Sequence, residues 1–175
     1  MTDLNIYTVR PWQFNDHRGQ IVSLGETAFM LADKKITWYH DMVSVSHQNV
    51  LRGIHVSLNL WKLATCVYGR IFLVVADCRD GVNFGKWQSW PIDDSDPIMV
   101  LGPPGFGLAH LVLSRQAVFY YKWSGPYDGP EQASYKYNDP RFGIEWPLLH
   151  ELNCITKENK VIEPILSERD KLCAY

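Results

Sequence analysis

The sequence predicts an all-β protein, built as a sandwich, a jelly roll or a barrel. A series of short segments rich in Val, Ile, Tyr, Phe and Trp is separated by Gly, Pro, Asp and Asn, a composition typical of strands and turns. No long segment shows the apolar period of a helix. Many short, evenly spaced strands are typical of closed or sandwiched antiparallel sheets.

The predicted elements follow one another along the chain. The strands are Ile6–Val9, Thr37–Tyr39, Met42–Ser46, Lys62–Tyr68, Ile71–Asp77, Trp87–Ile92, Ile98–Leu101, Ala109–Leu113 and Ala117–Trp123. Residues 62–77 are expected to form a hairpin that turns at Gly69-Arg70, and 103–107 an irregular loop rich in Pro and Gly. Short helices are expected over Glu26–Ala32 and Ser167–Leu172, the latter with Ser167 as N-cap.

Length and composition favour a single domain over residues 1–175. A chain of this length buries one sizeable core, and a formal net charge of -2 without a basic run argues against nucleic acid as the main partner. The four cysteines form no C-x-x-C pair, so neither a zinc motif nor a redox motif is indicated. Neither a signal peptide nor an apolar run long enough to span a membrane is visible. We therefore expect a soluble cytoplasmic protein with reduced thiols.

The segment from Val50 to His55 is the strongest indication of a site. Residues three apart in a regular strand point to opposite faces, but Gly53 permits a bulge that brings Arg52 and His55 to one side. With Lys62 on the next strand, these residues suit proton abstraction beside the carbonyl of a phosphorylated substrate. The alternative is that Arg52 is a surface ion pair and His55 a histidine that only lines the barrel.

The histidine pattern argues against a metal. No His-x-His pair occurs in the sequence, and the other five histidines are isolated: His17, His40, His47, His110 and His150. A transition-metal site usually needs three or more convergent ligands. We therefore expect no metal, and the resemblance described next implies that no other cofactor is needed either.

A series of motifs resembles the dTDP-4-dehydrorhamnose 3,5-epimerase family. In family order these are Asp16-His17-Arg18-Gly19, residues 46–55, Lys62-Leu63, residues 75–79, the Pro-Gly-Phe loop leading to His110, Tyr121-Lys122, Tyr127, Asn138-Asp139-Pro140, residues 143–147 and residues 166–170. The resemblance implies a cupin-type jelly-roll barrel with short peripheral helices. It also implies a homodimer that works without metal and epimerises a nucleotide-linked 4-keto sugar.

The resemblance implies catalytic roles for four residues. His55 matches the base that removes the proton beside the ketone, and Asp170 matches the carboxylate that orients its ring. Lys62 matches the group that stabilises the enolate oxygen, and Tyr121 matches the acid on the opposite face. For each residue an ordinary role stays open: an exposed helix charge for Asp170, a strand-edge cation for Lys62 and a core aromatic for Tyr121.

Binding roles are expected for five further residues. Arg18 and Arg52 match family positions near the substrate and its diphosphate, where Arg18 reaches the site of the partner subunit. His110 matches a histidine that contacts the sugar, with a buried structural role as the alternative. Tyr127 is the candidate for stacking on the nucleobase, and Ser44 for a further polar contact. Trp61, beside Lys62, is expected to narrow the pocket.

Departures from the family pattern bear on the substrate. Only six residues separate His55 from Lys62, and Leu73 stands where many members have Asp. The short spacing, with His40-Asp41 and His47-x-Asn49-Val50, resembles a branch that acts on GDP-linked 4-keto-heptoses for bacterial capsules.

Three functions therefore stay open. The first is a C3/C5 or C3-only epimerase of a GDP-4-keto-(6-deoxy)heptose or a dTDP-4-keto-6-deoxyhexose, used in bacterial surface polysaccharide biosynthesis (capsule or O-antigen). The second is a nucleotide-sugar 3,4-ketoisomerase, which moves the ketone between C3 and C4. The third is a non-catalytic module that binds a sugar nucleotide. Retention of His55, Lys62, Tyr121 and Asp170 together counts against the third.

Overall fold

A computed structural model describes residues 4–25, 36–126, 133–148, 150–152 and 159–173. β-strands make up most of this part of the chain. Their bounds are β1 Tyr7–Val9, β2 Trp12–Asp16, β3 Gly19–Ser23, β4 His40–His47, β5 Leu51–Val56, β6 Lys62–Tyr68, β7 Arg70–Asp77, β8 Trp87–Asp93, β9 Met99–Gly102, β10 Phe106–Val112, β11 Gln116–Trp123, β12 Ala133–Ser134, β13 His150–Leu152 and β14 Asn159–Val161. One short helix follows, α1, over Glu168–Leu172.

Two five-stranded antiparallel sheets form the body of the protein. The first has the order β1-β9-β6-β11-β4 and the second the order β12-β5-β10-β7-β8, while β2–β3 and β13–β14 are separate hairpins. From β4 to β7 and again from β9 to β11, successive strands alternate between the two sheets. This architecture confirms the predicted all-β, cupin-type jelly roll with a short peripheral helix.

The main core lies between the two sheets. It is formed by the inward-facing residues of β6, β7, β9, β10 and β11, and Leu73 is fully buried in it. A second cluster covers the outer face of the second sheet, where Phe142 and the aromatic side chains of 135–146 pack on Ile54 and Ala109. The central strands of the second sheet, β7 and β10, are therefore buried on both faces, which accounts for their nearly continuous apolar sequences.

Most predicted strands are confirmed, and the bounds of Lys62–Tyr68 agree with β6. The strand predicted over Thr37–Tyr39 is wrong, because 36–39 is irregular. The loop predicted over 103–107 is shorter, because β10 already begins at Phe106. The hairpin β2–β3 was not predicted.

The hairpin predicted at Gly69-Arg70 is also wrong. β6 belongs to the first sheet and β7 to the second, so the chain crosses between sheets at Gly69. The φ of Gly69 is 75°, and a Cβ there would overlap the carbonyl oxygen of Gln116. A glycine is thus needed at this crossing because of its positive φ, as it is in many hairpin turns.

The helix prediction is confirmed at the C-terminal side. α1 begins after Ser167, whose side chain accepts a hydrogen bond from the backbone N–H of Asp170. The helix predicted over Glu26–Ala32 lies outside the described residues. Within those residues no helix is long and apolar enough to cross a membrane. Cys66, Cys78 and Cys173 are free thiols.

Candidate active site

A cavity of about 230 Å³ opens between the two sheets. Side chains from four inner strands, from β4 and from α1 form its wall. The lining residues are Ser44, Arg52, His55, Lys62, Leu108, His110, Phe119, Tyr121, Trp123 and Arg169. Six of the nine residues predicted for the site line this cavity. A seventh, Asp170, is hydrogen-bonded to His55.

A bulge in β5 places Arg52 and His55 on the same cavity. His55 pairs with Leu108 and Arg52 pairs with His110, so three steps along β5 match two steps along β10. The φ of Gly53 is 109°, and a Cβ there would lie 2.5 Å from the carbonyl oxygen of Leu108. Only glycine fits this close approach, and the predicted bulge is confirmed.

His55 and Asp170 form a hydrogen-bonded pair at the cavity. His55 Nε2 lies 2.6 Å from Asp170 Oδ1, and Asp170 Oδ2 accepts a hydrogen bond of 2.8 Å from Ser167 Oγ. Burial raises the pKa of Asp170, but the hydrogen bonds from His55 and Ser167 outweigh it, and the pKa lies below its ordinary value. An ionised carboxylate only accepts hydrogen bonds, so Nε2 is the donor and Nδ1 is the ring atom left to take up a proton.

Lys62 brings a buried cation to the same wall. Its side chain is almost fully buried, and Nζ donates a hydrogen bond of 3.3 Å to the backbone carbonyl oxygen of His55. Nζ also lies 4.9 Å from the ring centroid of Trp123. A cation held in this way suits stabilisation of a negative charge that develops on a substrate oxygen.

A row of aromatic side chains lines the same cavity as His55. Phe119, Tyr121 and Trp123 occupy every second position of β11 and share its inner face. Their successive ring centroids are 5.2 Å and 5.9 Å apart. His110 stacks on Phe119, and burial, aided by the positive charge of Arg52, lowers the pKa of His110 to about 3. His110 is therefore neutral near physiological pH. Its Nε2 has no hydrogen-bond partner among the described residues.

Two arginines add positive charge to the cavity. Arg52 donates from Nε to Ser46 Oγ at 3.1 Å, and Arg169 donates from Nη2 to Ser134 Oγ at 3.0 Å. Sequence reasoning missed Arg169, although it directly precedes Asp170. With Lys62 these side chains give the cavity three cationic residues, a charge that suits a phosphorylated ligand.

Other predicted residues lie elsewhere. Arg18 sits in the turn between β2 and β3, is ion-paired with Asp16 at 2.6 Å, and does not line the cavity of its own chain. Tyr127 lies outside the described residues. The expectation that Trp61 narrows the pocket is wrong, because Trp61 does not line the cavity and packs instead on a third apolar cluster, formed by Leu63, Met99 and Leu101.

In the described part of the chain, no group of three or more His, Cys, Asp or Glu side chains is placed to hold a metal ion. The polar groups at the cavity are two imidazoles, one of them hydrogen-bonded to a carboxylate, with one phenol, one serine hydroxyl and three cationic side chains. This set is suited to moving a proton at a carbon atom beside a carbonyl group.

Comparisons with known proteins agree with this chemistry. The family model described as dTDP-4-dehydrorhamnose 3,5-epimerase matches residues 3–174. The chain is 32% identical over 149 residues to a protein of that name from Salmonella typhimurium, with 82% of this chain and 81% of the relative covered. It is 32% identical over 175 residues to a dTDP-4-dehydro-6-deoxyglucose 3-epimerase from a Streptomyces species, with 94% and 81% covered.

Solved structures are also similar. A dTDP-6-deoxy-D-glucose-3,5-epimerase from Legionella pneumophila, crystallised with dTDP-4-keto-L-rhamnose, superposes with a TM-score of 0.85 at 25% identity, covering 99% of this chain and 88% of that one. ChmJ, a 3'-monoepimerase from Streptomyces bikiniensis in complex with dTDP-quinovose, superposes with a TM-score of 0.80 at 30% identity, covering 95% and 81%.

Proposed function

Since the chain belongs to the dTDP-4-dehydrorhamnose 3,5-epimerase family and is accordingly an isomerase of the epimerase type, we propose that it epimerises a nucleoside-diphosphate 4-keto sugar without a cofactor. It inverts C3 and C5, or C3 alone. The observation that carries this proposal is the hydrogen bond of 2.6 Å between His55 Nε2 and Asp170 Oδ1 at a cavity that Lys62 and Tyr121 also line.

The proposed reaction begins with removal of a proton beside the ketone. Such a proton is acidic because the negative charge of the carbanion spreads onto the carbonyl oxygen. His55 takes the proton, and Asp170 stabilises the imidazolium that forms. The ammonium of Lys62 stabilises the enolate oxygen. Tyr121 then returns a proton from the opposite face of the sugar, which inverts the carbon.

Binding is assigned to the remaining polar groups of the cavity. Arg52 and Arg169 hold the diphosphate, because guanidinium groups favour bidentate contacts with phosphate oxygens. The neutral His110 and the hydroxyl of Ser44 contact the sugar, and neither Ser44 Oγ nor His110 Nε2 has a hydrogen-bond partner among the described residues. Tyr127 is proposed to stack on the nucleobase.

Two substrates are proposed, in order. A dTDP-linked 4-keto-6-deoxyhexose comes first, since both curated relatives above carry dTDP sugars in their names. A GDP-linked 4-keto-heptose comes second. It rests on the short connection of five residues, 57–61, between β5 and β6, together with His40-Asp41 and His47-x-Asn49-Val50, a pattern that resembles the heptose branch. Either substrate suits a role in bacterial surface polysaccharide biosynthesis.

We also propose that the protein is a homodimer. β4 is the edge strand of the first sheet, and its outward side chains Val43 and Val45 are 60% and 57% exposed. The hairpin β2–β3 likewise exposes apolar side chains: Trp12, Phe14 and Ile21. Pairing the hairpin of one protomer with β4 of the other covers both surfaces and brings Arg18 to the partner's cavity.

Incubation in deuterated water with dTDP- and GDP-linked 4-keto sugars tests the function and the substrate together. Epimerisation with deuterium at C3 and C5, or at C3 only, supports the proposal and counts the inverted centres. Migration of the ketone would instead identify a 3,4-ketoisomerase. Binding without any exchange would identify a non-catalytic module. The nucleotide with the larger kcat/KM identifies the preferred substrate class.

A further inference from the structure

The two members of the His55–Asp170 pair belong to different parts of the structure. His55 lies on β5 in the second sheet, whereas Asp170 lies on α1, near the C-terminal end of the chain. The orientation of the base therefore depends on how the segment 161–172 is attached to the barrel.

This segment has little apolar anchorage. Between residues 161 and 172 only Pro164 and Asp170 are buried, while Ile165 and Leu172 are 57% and 77% exposed. Apolar burial is limited to Pro164 and to the half-buried Ile162 and Leu166, so hydrogen bonds to the barrel contribute much of its attachment.

Asn49, in the turn between β4 and β5, makes two of those hydrogen bonds, and others join Tyr137 to Glu163 and Arg169 to Ser134. The side-chain Nδ2 of Asn49 donates to the carbonyl oxygen of Glu163 at 2.9 Å, and its own carbonyl oxygen accepts from Ile165 N at 2.8 Å. Next to it, Leu51 N donates to the carbonyl oxygen of Ile165 at 3.0 Å. Asn49 is only 6% exposed and has a φ of 65°, a conformation that Asn and Gly adopt most readily.

A rigid connection links this anchor to the carboxylate. Ile165 is bridged in parallel to Val50, and two residues later Ser167 caps the N-terminus of α1. Ser167 Oγ accepts from Asp170 N and donates to Asp170 Oδ2, so the side chain of Asp170 is fixed relative to the start of the helix. A shift at Glu163 or Ile165 is therefore passed on to Asp170.

We propose that Asn49 is a positioning residue for catalysis, which keeps Asp170 within hydrogen-bond distance of His55 by holding the backbone at Glu163 and Ile165. The inference rests on the proposed function only in taking His55 as the base. Asn49 touches no substrate in this account and does not line the cavity.

Asn49→Gly is the main test, since glycine keeps the positive φ and removes only the side-chain amide. Gln48→Ala is the matched control, because Gln48 in the same turn donates from its amide to the carbonyl oxygen of Leu113, outside the segment. We expect Asn49→Gly to lower kcat by about 10- to 100-fold with KM changed by less than about 2-fold. Gln48→Ala should keep the wild-type kcat.

A double-mutant cycle separates positioning from general damage. If Asn49 acts through Asp170, Asn49→Gly should cause no further loss of kcat in the Asp170→Asn background. Equal losses in both backgrounds, a wild-type kcat in the single variant, or a rise in KM alone would each overturn the proposal.

A second variant and a second measurement guard against misfolding and against failure of the proposed function. Asn49→Asp keeps the side-chain shape but turns an oxygen towards the Glu163 carbonyl, and it should lower kcat in the same way. If both variants are unfolded at the assay temperature, Asn49 is a folding residue and the proposal fails.

If the wild type exchanges no sugar proton, the proposed function fails, and the positioning claim is then decided by NMR. The NMR signal of the hydrogen-bonded Nε2–H proton of His55 should be weaker in Asn49→Gly and unchanged in Gln48→Ala.

Discussion

Lys62 on β6 donates a hydrogen bond of 3.3 Å to the backbone carbonyl oxygen of His55 on β5, and so joins the two sheets at the cavity. The contact fixes the proposed oxyanion-stabilising cation relative to the proposed base. Both are held by the barrel itself, whereas the carboxylate partner of the base arrives from the C-terminal segment.

Replacement of Lys62 should therefore impair chemistry more than binding. Lys62→Met keeps most of the apolar stem against Trp123 and removes the charge, so the variant should fold. We expect kcat to fall on the order of 100- to 1,000-fold, the usual loss for one donor to a developing oxyanion. Steady-state kinetics measures this, and Lys122→Met, on the neighbouring strand but outside the cavity lining, is the control. An unchanged kcat would leave Lys62 a purely structural cation.

His55→Asn should abolish solvent exchange at every sugar position, with a loss on the order of 10,000-fold, because the general base is removed. The amide nitrogen of Asn takes the place of Nδ1 and does not reach Asp170, so His55→Gln, whose amide nitrogen can donate from the place of Nε2, is the companion variant that should keep a melting temperature close to that of the wild type. Mass spectrometry after incubation in deuterated water measures the exchange. Exchange at the wild-type rate would mean that the base lies elsewhere.

Tyr121→Phe should damage inversion more than exchange. The substitution removes one hydroxyl and keeps the ring between Phe119 and Trp123, so the packing should hardly change. His55 can still remove and return a proton on its own face, while the step that needs an acid on the opposite face slows on the order of 100- to 10,000-fold. NMR of the product should find deuterium incorporated with little epimer. A wild-type yield of epimer would assign Tyr121 to the core alone.

His110 should make the protein less stable as the pH falls. Burial lowers its pKa to about 3, whereas an unfolded histidine titrates at about 6.5. Below about pH 6.5 the unfolded chain therefore takes up a proton that the folded protein does not, and stability declines towards the folded pKa. The free energy of unfolding of the wild type should fall relative to His110→Gln by up to about 1.4 kcal/mol per pH unit.

Urea unfolding at about pH 7, 6 and 5 measures this difference. His47 is exposed on β4, so His47→Gln is the matched control and should keep the wild-type pH dependence. Parallel stability curves for the wild type and His110→Gln would show that His110 gains its proton as readily in the folded protein.

The proposed homodimer predicts complementation between two variants. Arg18→Ala and His55→Ala should each be impaired alone. A mixed dimer carries one cavity with both wild-type residues, so a random mixture should recover up to about a quarter of the wild-type activity. The control is a mixture of His55→Ala with the double variant Arg18→Ala/His55→Ala, which should recover no activity. A monomeric mass in sedimentation, or no recovery, would contradict the partner role of Arg18.

Local sequence by itself determined most of the strands, the bulge and the helix cap of this protein. Each depends on neighbouring residues: Gly53 permits the bulge that turns Arg52 and His55 to one side, and Ser167 caps the helix that carries Asp170. The lack of a His-x-His pair is likewise visible without coordinates.

Tertiary structure alone decided which sheet each strand joins and which side chains meet across the fold. Gly69 satisfies a hairpin turn and a crossing between sheets equally well, so the mistaken pairing of β6 with β7 had no local sign. Trp61 and Trp123 are the same residue type and lie close to Lys62 and Tyr121 in the sequence, respectively. Of the two, Trp123 lines the cavity and Trp61 does not. Asp170 and Arg169 reach the site from the C-terminal segment, whose backbone at Glu163 is hydrogen-bonded to Asn49, far away in sequence. Such contacts depend on long-range packing, which no short window of sequence encodes.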